Sequence, residues 1–111
     1  MHELALSRSI LEISRRHAEG RPVVSVRVRV GHLRQVVPDT LARCFEIVAS
    51  EGGLAGATLE VVEVPGEVRC RDCGASTVLE RFELRCGGCG GSDLEVLAGE
   101  ELLVESLELA D

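Results

Sequence analysis

Leu6, Ile10 and Ile13 recur at helical spacing near the start of the chain. Leu4, Leu11 and Ala18 fall a heptad apart on a neighbouring stripe, and together they predict an amphipathic helix. Arg15, Arg16 and His17 fall in its last turn, where positive charge complements the helix dipole, and Gly20 followed by Pro22 stops it. The period then shortens to two. Val24, Val26, Val28 and Val30 alternate with Ser25, Arg27 and Arg29, the pattern of a strand with one wet face. Gly31 ends that strand, and a loop leads to a second helix opening at Pro38-Asp39-Thr40. Leu41, Cys44, Phe45 and Val48 form its apolar face, and Gly52-Gly53 closes it. Residues 57–64, rich in β-branched side chains, read as a second strand that stops at Pro65-Gly66.

From there the pattern dissolves. Residues 66–99 hold four paired cysteines and seven of the 12 glycines, a composition suited to a metal-held module rather than to an apolar core. Strand-like sequence returns at Leu94 to Leu97 and again at Leu102 to Leu109. The last stretch reads as a strand rejoining the first sheet, with a helix as the alternative because Leu and Glu are so frequent. The expected class is α+β: two helices packed on a small three-stranded sheet, with an inserted four-cysteine zinc-ribbon module. Residues 1–65 with 100–111 would form the α/β domain, and residues 66–99 the metal domain.

Composition narrows this picture. The chain has 111 residues, 45% of them apolar, with two Phe and no Trp or Tyr, so any core is aliphatic. A formal charge of −7 and so few aromatic side chains leave little to hold a phosphate backbone or to stack on bases, and nucleic acid is not an expected partner. Arg15, Arg16 and Arg21 make a small basic patch that reads as a solvated helix end. No run approaches the length of a membrane span, and the N-terminal segment lacks the pattern of a signal peptide. The expected location is the cytoplasm, where thiols stay reduced and paired CxxC motifs favour metal over disulfide.

Cys70-x-x-Cys73 and Cys86-x-x-Cys89, twelve residues apart, have the spacing of a zinc ribbon. Each CxxC turn brings two sulfurs to one side as adjacent corners of a tetrahedron. Gly74 and Gly90 follow the second cysteine of each pair, where positive φ lets backbone N–H groups point at thiolates. Residues 76–85 suit a hairpin that sets one turn opposite the other. Four sulfurs close the coordination shell, so the ion is structural. A redox dithiol pair and a rubredoxin-like iron site are the alternatives, with no thioredoxin-like surroundings to favour the first. Cys44, on the apolar face of the second helix, reads as a buried inert thiol.

The chain also opens on Met1-His2-Glu3. A free α-amine, the deprotonated amide of His2 and its imidazole offer three coplanar nitrogens in fused rings. That arrangement suits Ni²⁺ or Cu²⁺ better than tetrahedral Zn²⁺, with the amide or carboxylate of Glu3 as a fourth donor. A solvated helix start is the plain alternative. His17 and His32 read as ordinary surface histidines.

The start MHELALSRSILEI, a length near 110 residues and the paired motifs CRDCG and CGGCGG together resemble the HypA/HybF family of hydrogenase maturation factors, over essentially the whole chain. The resemblance implies a nickel metallochaperone and not an enzyme, with transient Ni²⁺ at Met1, His2 and Glu3 and structural Zn²⁺ at Cys70, Cys73, Cys86 and Cys89. It implies the GTPase HypB and the hydrogenase large subunit as partners, urease maturation proteins for some members, and homodimers by segment exchange in some. One departure stands out: some members add a nickel-contacting histidine near the zinc module, whereas every histidine here lies before residue 33.

Overall fold

The structure is a computed structural model and describes residues 2–110. Helix α1 (Glu3–Ala18) leads into strand β1 (Val23–Gly31), a short 3-10 turn (His32–Arg34) and helix α2 (Pro38–Glu51). Strands β2 (Thr58–Val64), β3 (Gly66–Cys70), β4 (Ser76–Leu79), β5 (Leu94–Ala98) and β6 (Leu102–Leu109) complete the chain. They form two three-stranded sheets, ordered β2-β1-β6 and β4-β3-β5. The final segment is thus a strand beside β1, as its strand-like sequence anticipated, and the helical alternative is not realised.

The chain divides into two compact units. One comprises Met1–Arg29, Val36–Val62 and Leu103–Asp111; the other comprises Val30–Gln35 and Glu63–Leu102. In the first, α1 packs against α2. Ile10, Leu11, Val26, Val28, Leu41, Phe45, Val48 and Ala49 are all buried there, and Phe45 is the largest fully enclosed side chain. Burying each such side chain contributes about 1.5–3 kcal/mol.

The inward stripe of α1 differs from the expected one. Glu3, Ser7, Ile10, Leu11, Ser14 and Ala18 are buried, while Leu4 is exposed and Leu6 and Ile13 are half-buried. The hydroxyls of Ser7 and Ser14 donate to the carbonyls of Leu4 and Ile10, both at 2.7 Å, so burial leaves neither unsatisfied. Small side chains on this stripe leave room for α2 to approach. In β1, Val26, Val28 and Val30 face inward as expected, but Val24 is exposed and Val23 takes the buried place.

The second unit has a smaller core, with Val30, Val64, Val68, Leu79, Cys70 and Cys86 buried. Strand β3 is its centre. It pairs antiparallel with β4, Val68 opposite Thr77, and with β5, Val68 opposite Val96, with an irregularity between Glu67 and Val68. The hairpin therefore lies elsewhere than expected: β3 and β4 flank the first CxxC turn, and residues 80–85 carry no strand. The Leu33 N–H donates to the Gly99 carbonyl at 2.8 Å, which ties the segment after β1 into this unit.

Candidate metal centre

Each cysteine pair sits on a turn shaped by main-chain hydrogen bonds. At the first, the Gly74 N–H donates to the Cys70 carbonyl at 2.9 Å and the Cys70 N–H to the Ala75 carbonyl at 2.8 Å. At the second, the Gly90 N–H reaches the Cys86 carbonyl at 3.0 Å and the Cys86 N–H the Gly91 carbonyl at 2.9 Å. Gly74 and Gly90 have φ of 78° and 75°, the left-handed conformation expected of them. Thr77 steadies the second turn, its Oγ1 accepting from the Gly87 N–H at 3.1 Å. Nothing in the alternating sequence of β4 marks that threonine for the role.

The two turns face each other. All four Sγ atoms lie within 4.8 Å of one another, with Cys70 to Cys89 at 3.6 Å and Cys73 to Cys86 at 3.5 Å. These are too long for disulfides, and all four thiols are free. A tetrahedron with ~2.3 Å metal–sulfur bonds has edges of ~3.8 Å, so the spacing fits one ion coordinated by four sulfurs. Cys70 and Cys86 are buried, whereas Cys73 and Cys89 face solvent.

Electrostatics agree with that fit. N–H groups of Cys89 and Gly88 point at the Cys86 sulfur, at 3.4 and 3.3 Å, and bring its thiol down to about 6. The Gly91 N–H acts in the same direction on Cys89, but the Cys70, Cys73 and Cys86 sulfurs outweigh it and push that thiol up to about 12. Four sulfurs so close cannot all be thiolates by themselves. A cation among them removes the conflict.

At the N-terminus, Met1 lies outside the described residues. His2 is exposed and is the N-cap of α1, its carbonyl accepting from the Leu6 N–H at 3.0 Å. An N-cap residue lies ahead of the helical ladder, so its own N–H takes no part in it. Glu3 is only 3% exposed. Its Oε2 accepts from the Val37 N–H at 3.0 Å, at the N-cap of α2, which has no side-chain cap of its own. The α-ammonium group two residues ahead, then the N–H groups of Val37 and of Glu3 itself, outweigh burial and hold this carboxyl down at about 2.

The remaining candidates are separate. Cys44 is half-buried rather than enclosed. His17 is exposed at the end of α1. His32 lies 3.2 Å from a Glu63 carboxylate oxygen and belongs to the same compact unit as the four cysteines, although the sequence separates them widely.

Known proteins correspond to this architecture from end to end. A family model described as "Hydrogenase/urease nickel incorporation, metallochaperone, hypA" matches residues 1–109. The chain is 38% identical to the hydrogenase maturation factor HypA of Nostoc sp., covering 100% of this chain and 97% of the relative. It is 41% identical to the factor of the same name from Geotalea uraniireducens, covering 98% and 99%. The solution structure of the Ni metallochaperone HypA from Helicobacter pylori shares the fold, with a TM-score of 0.69 at 23% identity over 98% of this chain and 97% of that one. Both relatives are named as maturation factors and not as enzymes, and the family match favours a nickel protein over a nickel-free zinc-ribbon adaptor. Matched along its whole length by both the family model and these relatives, the chain belongs to the HypA family of hydrogenase/urease nickel-incorporation metallochaperones.

Proposed function

We propose that this chain binds Ni²⁺ at its N-terminus, through Met1, His2 and Glu3, and hands it on during [NiFe]-hydrogenase maturation. The observation that carries the reading is the placement of His2. Its imidazole is exposed and its amide lies ahead of the ladder of α1, so both nitrogens are open to a metal without any helical bond being broken. The Glu3 carboxylate is bonded to Val37, and the amide or the carboxylate of Glu3 supplies the fourth donor.

A carrier must release what it binds. A site of one side chain and main-chain nitrogens at a chain end is dismantled by a partner more readily than a closed cage. Protons compete as well, since amine and imidazole must both be deprotonated to bind, so nickel affinity falls on acidification. Cys70, Cys73, Cys86 and Cys89 would hold Zn²⁺, which supplies a cross-link and no open coordination position. The unit of residues 1–29, 36–62 and 103–111 then serves as the nickel domain and that of residues 30–35 and 63–102 as the zinc domain. The partners under this reading are the GTPase HypB and the hydrogenase large subunit, with urease maturation proteins a further destination. The chain works in the cytoplasm and catalyses no reaction itself.

The test is a nickel titration of three proteins: one with authentic Met1, one extended by a single glycine, and one carrying His2→Ala. The first should bind and both others should lose most of their affinity, with zinc content equal in all three. Equal nickel affinity throughout would remove the N-terminal site.

A further inference from the structure

The ends of α1 and α2, with the loops that leave them, enclose an open cleft of about 570 Å³. Arg15, Arg16 and Arg21 line it, and Pro22 and the half-buried Leu54 give it accessible apolar surface. Every one of the chain's 12 cationic side chains is an arginine, so a quarter of them meet here in a protein of formal charge −7. On the sheets, arginines are neutralised by carboxylates: Arg27 by Glu60, Arg29 by Glu105, Arg69 by Glu95 and Arg71 by Asp93. In the cleft, among the described residues, only Arg15 is. The one lining carboxylate, Glu12, is paired with Arg15 at 3.2 Å, and Arg21 reaches a neutral acceptor, the Ala110 carbonyl, at 3.4 Å. Arg16 has no ion pair or hydrogen bond among the described residues.

Complementing the dipole of α1 accounts for Arg15 and Arg16, which sit in its last turn. It does not account for Arg21, which lies beyond the reversal at Glu19 and Gly20, where φ is 51° and 84°. Guanidinium groups bind carboxylates through paired N–H donors, and their planar forks favour such oxyanions over scattered contacts. Two helix C-termini border the cleft, and their partial negative charge penalises a compact dianion such as phosphate. A peptide carboxylate carries one charge and brings apolar atoms for Pro22 and Leu54.

We propose that this cleft docks a short acidic segment of a protein partner, with carboxylates at Arg16 and Arg21 and an apolar side chain against Pro22 and Leu54. The partner's chemistry is thus set by a surface at the opposite end of α1 from His2. The test follows amide shifts of full-length, zinc-loaded protein as an acetylated, amidated (Leu-Glu-Glu)₃ peptide is added. Its Gln-for-Glu analogue and inorganic phosphate serve as the other probes. The acidic peptide should move Gly20, Gly53 and Leu54, the Gln analogue should not, and phosphate should act at least tenfold more weakly. The pair Arg16→Gln/Arg21→Gln, and separately Arg16→Glu/Arg21→Glu, should weaken binding at least tenfold with the remaining amide spectrum unchanged. Shifts that avoid the cleft, or binding that survives both double variants, would overturn the proposal. So would phosphate binding as tightly as the peptide, which would mark a simple oxyanion site.

Discussion

Glu3 shows how one carboxylate is fixed by what surrounds it. Buried at the start of α1, it would be unfavourable if unpaired, yet it accepts from the N–H of Val37 at 3.0 Å. Its carboxyl therefore ionises at about 2 rather than at the ordinary 4.5. A lowered pKa contributes stability that is complete above the ordinary value and disappears as pH falls through the folded one. The stability gap between the natural protein and Glu3→Gln should accordingly be widest above pH 4.5 and close towards pH 2. Urea midpoints of the two proteins measured side by side at pH 7, 4.5 and 2.5 give that gap directly, and metal loss in acid affects both alike. A gap independent of pH would mean that Glu3 acts by shape alone.

Among the elements, those with a clean period were readable from sequence, and those defined by what touches them were not. Val26, Val28 and Val30 announced β1, and Leu41, Phe45 and Val48 announced α2, because burial and hydrophobicity coincide there. On α1 they separate. Ser7 and Ser14 are fully buried, but a polar letter reads as a wet position, since pattern alone does not show a hydroxyl bonded to its own helix. The two CxxC turns and their glycines were legible because metal geometry constrains local spacing. The strand partner of β4 was not, because pairing depends on residues before the first turn. Gly31 belongs to the illegible class. Its backbone is ordinary extended chain, φ −74° and ψ 142°, so nothing local demands glycine. A Cβ there would collide with the Gly99 carbonyl and lie 2.6 Å from the Glu100 nitrogen, all main-chain atoms. Gly31→Ala should cost about 3 kcal/mol or more, at the upper end for overpacking, because no rotamer change relieves a main-chain clash. Chemical denaturation with amide reporters in β5 measures it, and a loss below about 1 kcal/mol would show that the crossing yields easily.

For the molecule as a whole, the division into two units separates what the apolar core holds from what the metal holds. The first unit buries Phe45, Leu41, Ile10, Val26 and Val28 and has an aliphatic core of its own. The second buries chiefly Val30, Val64, Val68, Leu79 and two of the four sulfur ligands. So small a core does not carry a fold without a cross-link, and four sulfurs at 3.5–4.8 Å supply one when an ion joins them. Metal removal should therefore act by unit and not by distance along the sequence. His32, Leu33 and Arg34 precede Cys70 by more than thirty residues, yet they are held with it, through the Leu33 N–H on the Gly99 carbonyl and Arg34 Nε on the Glu100 carbonyl at 2.7 Å. Stripping the bound ion, zinc under the proposed reading, with a chelator and a reversible thiol reagent should collapse the amide dispersion of β3, β4, β5 and residues 32–34 together. Amides of α1 and α2 should keep their positions, and restored metal should return the rest. If residues 32–34 stay in place while the cysteine turns collapse, the apolar contacts hold them and the ion does not. If α1 melts as well, the helices depend on the metal too, and the proposed nickel binding at His2 would fail on metal loss for a structural reason.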